Sequence, residues 1–268
     1  MDMHINYDKK YIAFIDVLGF TELVGNPADT NKLESYFDSL EEIFRVLEAD
    51  KSKAELKMLS ISDSVILMTP GSEDGLKTLL RAIQTLQSSL AQKDIWMRGG
   101  LAFGSVFYDE QKRIIVGPGF IRAFKLEGQA IFPRVIIDPI ILRELNMTLP
   151  QFNNHFNGNI ADKNSLKLVH NYANNIPRLT DDDAIFVCYA NKLIRRSMND
   201  QENSGTTVMD KLCNDLNNRL YGKHEHYHKY LWTKKYFEEV FKEEAATFVD
   251  DNSVKSFLKK YWVKISDL

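Results

Sequence analysis

Cysteine is almost absent from this sequence, with Cys188 and Cys213 alone among 268 residues. That scarcity excludes a disulfide framework and a cysteine-built metal site, and it fits a reducing cytoplasm. An excess of positive charge is also missing, since 34 Lys and Arg face 37 Asp and Glu for a net charge of -3. Without a broad basic field no nucleic acid partner is expected, and any anionic ligand must be held by a local site. No uninterrupted apolar run approaches the roughly 20 residues that span a membrane, and Met1 to Asn6 contains no basic stretch leading into an apolar one. The expectation is a cytoplasmic protein with no membrane partner. Internal repeats are absent as well. What is present, 44% hydrophobic and 26% charged residues, suffices for one large globular domain with an appendage.

The most informative stretch is Tyr11-Ile12-Ala13-Phe14-Ile15-Asp16-Val17-Leu18-Gly19-Phe20-Thr21. It reads as a buried central strand that ends on a carboxylate, followed by a glycine turn and a helix. Leu33, Phe37, Leu40, Phe44 and Leu47 then recur at helical spacing over 31–50. Two β-like segments, 55–61 and 64–68, meet at Ser62-Asp63 and predict a tight hairpin with the acid near its tip. A helix is expected over 73–92 and a glycine-rich strand over 95–108. Its three glycines call for close approach of another backbone or of a ligand.

The resulting βαββαβ order predicts an α+β, ferredoxin-like sheet with helices on one face. A short helix over 120–129 and a strand over 133–139 follow. Residues 149–180, rich in Asn and Asp and without a sustained period, read as a long loop or insertion. A last strand is expected over 183–189. Helical spacing from Val208 onward predicts a C-terminal helical extension. The polar stretch 196–207 is the candidate linker, which divides the chain into a domain of 1–195 and an extension of 196–268.

Asp16 and Asp63, brought together at strand ends, would repel each other unless a cation joined them. Hard carboxylate oxygens suit Mg²⁺ or Mn²⁺, and magnesium typically takes one or two carboxylates together with substrate phosphates. Backbone N–H groups of Leu18, Gly19, Phe20 and Thr21 lie at a helix start, where phosphate oxygens are favoured; Thr21 equally fits an ordinary N-cap. Arg98 fits either a structural ion pair or a phosphate or interface contact. Lys125 fits either an exposed helix residue or a neutralising cation. His224, His226 and His228 invite a metal reading, although in a helix only the first and last share a face. Asp181-Asp182-Asp183 lacks the spacing and glycine of a calcium loop and reads as a solvated turn.

These residues carry a family resemblance. Phe14-Ile15-Asp16-Val17-Leu18-Gly19-Phe20-Thr21 resembles the first metal motif of class III nucleotide cyclases, and Ser62-Asp63 their second. Arg98-Gly99-Gly100-Leu101-Ala102-Phe103-Gly104 is similar to their Arg-x-Gly-x-x-x-Gly strand. Val116-Gly117 with Ala123-Phe124-Lys125-Leu126-Glu127 resembles the helix motif that follows. The resemblance spans roughly residues 10–140. It implies that Asp16, Asp63 and the carbonyl of Val17 bind two divalent cations, Mn²⁺ or Mg²⁺, while a nucleoside triphosphate cyclises by attack of its 3′-hydroxyl on its α-phosphate. It also implies a homodimer with active sites at the protomer interface, catalytic roles for Asp16, Asp63 and Lys125, and substrate contacts from Phe14, Leu18, Gly19, Phe20, Thr21, Lys57 and Arg98.

The chain departs from the purine cyclases at informative positions. Leu59 stands where they carry a base-reading lysine, with Lys57 two residues further back, and Ile121 and Lys125 replace their helix asparagine and arginine. With Phe132-Pro133-Arg134-Val135 and the aromatic run Lys229-Tyr230-Leu231-Trp232, the chain most resembles the pyrimidine cyclases of bacterial Pycsar antiphage systems. That resemblance implies a uridylate cyclase making cyclic UMP from UTP, or alternatively a cytidylate cyclase making cyclic CMP from CTP, whose product activates a separate effector in antiphage defence. A non-catalytic nucleotide-binding module of the same fold is the other alternative.

Overall fold

The structure, a computed structural model, describes residues 5–25, 30–49, 54–158, 166–170, 184–199, 205–248 and 250–268. The apolar first strand, β1 (Asp8–Val17), lies between β3 (Ser64–Pro70) and β4 (Met97–Asp109) and is antiparallel to both. β2 (Lys57–Ile61) pairs with β3 through the expected hairpin. These strands run β2-β3-β1-β4, the order that a βαββαβ chain gives in a ferredoxin-like α+β sheet. β6 (Val135–Ile137) joins β4 in parallel, and β8 (Phe186–Val187) and β7 (Val169–His170) extend the sheet beyond it. β5 (Ile114–Val116) folds back on the far end of β4.

Both faces of β1 are apolar, and each is covered by its own helices. Tyr11, Ala13, Ile15 and Val17 pack in one cluster with Tyr36 and Leu40 of α2 (Thr30–Ala49) and with Leu76, Leu79 and Ile83 of α3 (Glu73–Ala91). Ile12 and Phe14 point the other way, towards Ala123 and Phe120 of α4 (Pro118–Gln129). Helices on one face only is therefore corrected: residues alternate across a strand, and Ile12, Ile66, Met68 and Ala102 form a second apolar surface that α4 buries.

The glycines of β4 are what let α4 approach. A Cβ on Gly100 would lie 2.3 Å from the Leu126 Cβ, and one on Gly104 would lie 2.8 Å from the Gly119 Cα. The close neighbour that the glycine-rich strand called for is thus the backbone of α4.

The loop reading of 149–180 is also corrected in part. Leu149–Phe156 forms a helix, α6, entered through a capping box of Thr148 and Gln151, with Phe152 and Phe156 buried four residues apart. Two turns are too short to register as a period. Residues 159–165 and 171–180 lie outside the described residues. The expected strand at 183–189 contracts to Phe186 and Val187.

From Tyr189 the chain is helical: α7 (Tyr189–Asn199), α8 (Gly205–Gly222), a 3-10 turn (His224–His226), α9 (Tyr227–Thr247) and α10 (Asn252–Ser266). Most of the linker candidate 196–207 is helical where described, because Met198 turns into the core on α7 and α8 already begins at Gly205. Residues 195 and 196 both lie within α7.

Trp232, Tyr236 and Phe237 of α9 share one buried cluster with Trp96, Phe132, Ile136 and Phe186 of the sheet layer. Each such aromatic contributes about 2–3 kcal/mol of burial. The guanidinium of fully buried Arg134 sits 5.3, 5.5 and 5.8 Å from the ring centroids of Phe132, Trp232 and Phe186. In a desolvated setting such cation–π contacts are worth ~2 kcal/mol or more. A buried Arg195–Glu244 pair at 2.8 Å joins α7 to α9. Among the described residues, no helix is long and apolar enough to cross a membrane.

Candidate active site

The sheet register places the acids. Asp16 pairs across β1 with Ser64 of β3 on one side and Arg98 of β4 on the other, so the three side chains share the face that α4 covers. Ser64 Oγ donates to Asp16 Oδ1 at 3.4 Å. Asp63 occupies the β2–β3 turn beside Ser62, whose φ of 57° is left-handed. Its carbonyl accepts from the Val17 N–H at 3.3 Å and from the Tyr36 hydroxyl at 3.5 Å. The hairpin tip is therefore fastened to the end of β1, and the Asp16 and Asp63 carboxyl groups are held near each other.

Their electrostatics follow from that closeness. Burial pushes the Asp16 carboxyl up to about 6, and the charges of Asp63 and Glu127 and a hydrogen bond with the Asp63 carboxyl add to the rise, while Arg98 opposes it. Burial also raises the fully buried Tyr36 hydroxyl, helped by the charges of Asp63 and Asp16. Two acids sharing one half-buried position with a single arginine beside them leave negative charge uncompensated.

Glu127 is a site residue that the sequence motif contained without a role being assigned to it. It is buried on α4, with Oε1 2.7 Å from Arg98 Nε, a close ion-pair contact whose angles are not those of a hydrogen bond. Its signal in the sequence is weak: a glutamate four residues after Ala123, on the helix face that turns to the sheet. Phe14 lies beside it on the same sheet face, edge-on to Phe120 at 6.0 Å and to Phe124 at 5.2 Å. Leu59 pairs with Ile66, which pairs with Phe14, so the position of the missing lysine extends this apolar wall.

Other expected site residues lie elsewhere in the protomer. Lys57 sits level with Met68 and Ile12, towards the opposite end of β1 from Asp16, and binds Glu110 at 2.9 Å and Glu55 at 3.1 Å. Two carboxylates already satisfy it. Lys125 is exposed on α4 and lines a cavity of about 740 Å³ with Phe103, Ser105, Arg122 and Asp138, to which neither Asp16 nor Asp63 contributes. Arg122 is ion-paired there with the buried Asp138.

After β1 the chain turns at Gly19, with φ of 75°, into the short helix α1 (Phe20–Gly25). Leu18's N–H is engaged by the Trp96 carbonyl at 2.8 Å, so the phosphate-facing set expected at this turn loses that donor. Thr21 lies one residue inside the helix, which corrects its N-cap reading; the Gly19 carbonyl accepts from the N–H groups of Glu22 and Leu23, both at 3.1 Å.

The histidine run divides between the 3-10 turn and α9, so His224 and His228 do not lie on one helical face. His226 lies with Glu22 and Glu225 within 4.8 Å, but Lys223 already holds Glu22 at 2.7 Å. His228 packs edge-on against Phe132. Asp181 to Asp183 lie outside the described residues.

No protein-family model matches the sequence, and no curated protein matches it. Several solved structures are similar to it over half of the chain or more. The adenylyl cyclase CyaB from P. aeruginosa has 14% identity and a TM-score of 0.44, with 69% of this chain and 96% of that one covered. A bacterial light-regulated adenylyl cyclase has 15% identity and a TM-score of 0.44 over 77% of this chain and 99% of that one. The guanylyl cyclase domain of the RhoGC fusion protein from Blastocladiella emersonii has 14% identity and a TM-score of 0.42 over 52% and 84%. The chain shares about one residue in seven with these adenylyl and guanylyl cyclase domains.

Proposed function

We propose that the chain is a pyrimidine nucleotide cyclase that converts UTP to 3′,5′-cyclic UMP and pyrophosphate. The observation that carries this reading is the pair Asp16 and Asp63, two acids fastened together by the hairpin, one of them raised to about 6 by burial and by the negative charge of its neighbours. Their donor atoms are hard oxygens, which fit Mn²⁺ or Mg²⁺, and Asp16, Asp63 and the Val17 carbonyl would hold the two ions. When bound, such ions lower the pKa of an attacking hydroxyl and neutralise phosphate charge.

The chain's own residues supply the rest. Arg98, steadied by Glu127, offers a guanidinium on the Asp16 face, where it can bind phosphate oxygens. Phe14 gives an apolar surface to pack against, and Leu59 offers no polar contact to a purine edge, which supports a pyrimidine substrate. Gly19, Phe20 and Thr21 present backbone to the phosphate tail. Lys125 lines a different cavity from the acids; in the head-to-tail homodimer that the family resemblance implies, it serves the site of a second protomer. The cyclic product is then a second messenger for a separate effector in antiphage defence, as the family resemblance implies.

The test uses Asp16→Ala, Asp63→Ala and Lys125→Ala. Each should cut turnover at least about 100-fold while leaving a folded dimer. Mixing Asp16→Ala with Lys125→Ala protomers should restore about a quarter of wild-type activity, because a mixed dimer holds one intact site. Full activity in either aspartate variant, or no recovery on mixing, would contradict this arrangement.

A further inference from the structure

Behind the Gly19 turn, the C-terminal helices meet the sheet at one half-buried carboxylate, Asp94. Asp94 closes the connection from α3 to β4 in a left-handed conformation, with φ of 56°. Arg219 of α8 grips it with a fork: Nε lies 3.1 Å from both carboxylate oxygens, and one terminal nitrogen lies 2.7 Å from Oδ2 and 3.4 Å from the Asp94 carbonyl. Lys32 of α2 donates to Oδ2 at 2.7 Å, and the Trp96 indole N–H donates to Oδ1 at 2.9 Å. One acid thereby joins α2, α8 and the start of β4.

The same residues hold the turn. Trp96, oriented through its indole by Asp94, uses its backbone carbonyl to accept the Leu18 N–H at 2.8 Å. Its ring packs edge-on against Tyr230 of α9 at 6.2 Å, and the Arg219 guanidinium lies 5.8 Å from the Tyr230 ring centroid. A cavity of about 240 Å³ lies where these groups face Val17, Leu18 and Gly19, with Lys32, Asp94 and Arg219 in its wall. The start of α1 is strapped to the same layer by Lys223 on Glu22 at 2.7 Å.

We propose that Asp94 and Arg219 are positioning residues for the Leu18–Gly19 turn, through which the C-terminal helices set the protein's affinity for the phosphate tail of a nucleotide. This rests on the cyclase reading for the identity of the ligand, while the geometry itself belongs to the chain. Neither residue needs to touch the nucleotide. A charge-assisted fork around a half-buried carboxylate is among the stronger polar contacts, and losing it leaves Asp94 with Lys32 alone as a charged partner.

The experiment compares Arg219→Gln, Arg219→Lys, Asp94→Asn and the double variant Asp94→Asn/Arg219→Gln, with inorganic pyrophosphate and Mn²⁺ as the calorimetric probe and UTP turnover as the second readout. Each single variant other than Arg219→Lys should weaken pyrophosphate binding and raise KM about tenfold, with kcat changed less than about threefold. Arg219→Lys should recover part of the affinity, and the double variant should be no worse than either single one, because both remove the same contact. Unchanged pyrophosphate affinity in a folded Arg219→Gln protein, or fully additive losses, would overturn the inference. If wild-type protein binds pyrophosphate without cyclising any triphosphate, the cyclase reading falls and the affinity series still decides the role of the turn. If wild-type protein does not bind pyrophosphate, the inference itself falls.

Discussion

Asp16 carries an energetic cost that the protein tolerates for the sake of its site. A carboxyl whose folded pKa is raised to about 6 from an ordinary value of 3.8 binds protons more tightly in the folded state than in the unfolded chain. Its ionised form therefore destabilises the metal-free protein above about pH 6, and the penalty disappears as pH falls from there towards 4. Discounted for solvent screening, the cost at pH 8 is about 1–2 kcal/mol. Asp16→Asn should accordingly melt higher than wild type at pH 8 without metal, and the two melting curves should converge between about pH 6 and 4. Mn²⁺ should raise the melting temperature of the wild-type protein and leave that of Asp16→Asn nearly unmoved. Thermal melts across that pH range, with and without Mn²⁺, check both statements. Asp16 was legible in the sequence because an acid after five apolar residues has nowhere neutral to go. Glu127 and Asp94 were not, since what makes them important is a partner distant in sequence: Arg98 for one, Arg219 for the other.

At the scale of elements, α4 depends on glycine more than on its own helix-forming residues. Gly100 lies under Leu126 and the Ala123 carbonyl with no room for a methyl group. Gly100→Ala should destabilise the protein by about 1–3 kcal/mol and shift α4 away from β4, lowering activity by displacing Glu127 from Arg98. Chemical denaturation and turnover of the same sample measure the two effects. Long periodic elements were readable: β1, the hairpin, α2 and α3 occupy nearly the spans that their apolar spacing dictates. Those that escaped are short. α6 has eight residues and β7 has two, so no period can build up in them. The position of α4 on the second face was written in β1 itself, where Ile12 and Phe14 are as apolar as Ala13 and Ile15, but a continuous apolar run does not say which element covers each side.

At the scale of the whole molecule, the C-terminal helices share a core with the sheet. Trp232, stacked on Phe132 at 5.3 Å and placed beside Arg134, closes a face of the sheet together with Tyr236, whose ring centroid lies 5.3 Å from that of Phe186. A fragment of residues 1–195 should therefore be insoluble or molten rather than an independent folded domain, and near-ultraviolet circular dichroism of the fragment would reveal a retained native core if it has one. The extension was legible as helical and aromatic; its attachment was not, because Phe132 and Asp94, the partners of Trp232 and Arg219, lie 100 and 125 residues away in sequence. The activity we propose for this molecule is cyclisation of a pyrimidine nucleotide. Its most direct test is to incubate the purified full-length protein with ATP, GTP, CTP and UTP separately in Mn²⁺ and separate the products by chromatography. Cyclic UMP formed chiefly from UTP is the expected result, and the absence of a cyclic product from all four would contradict the claim.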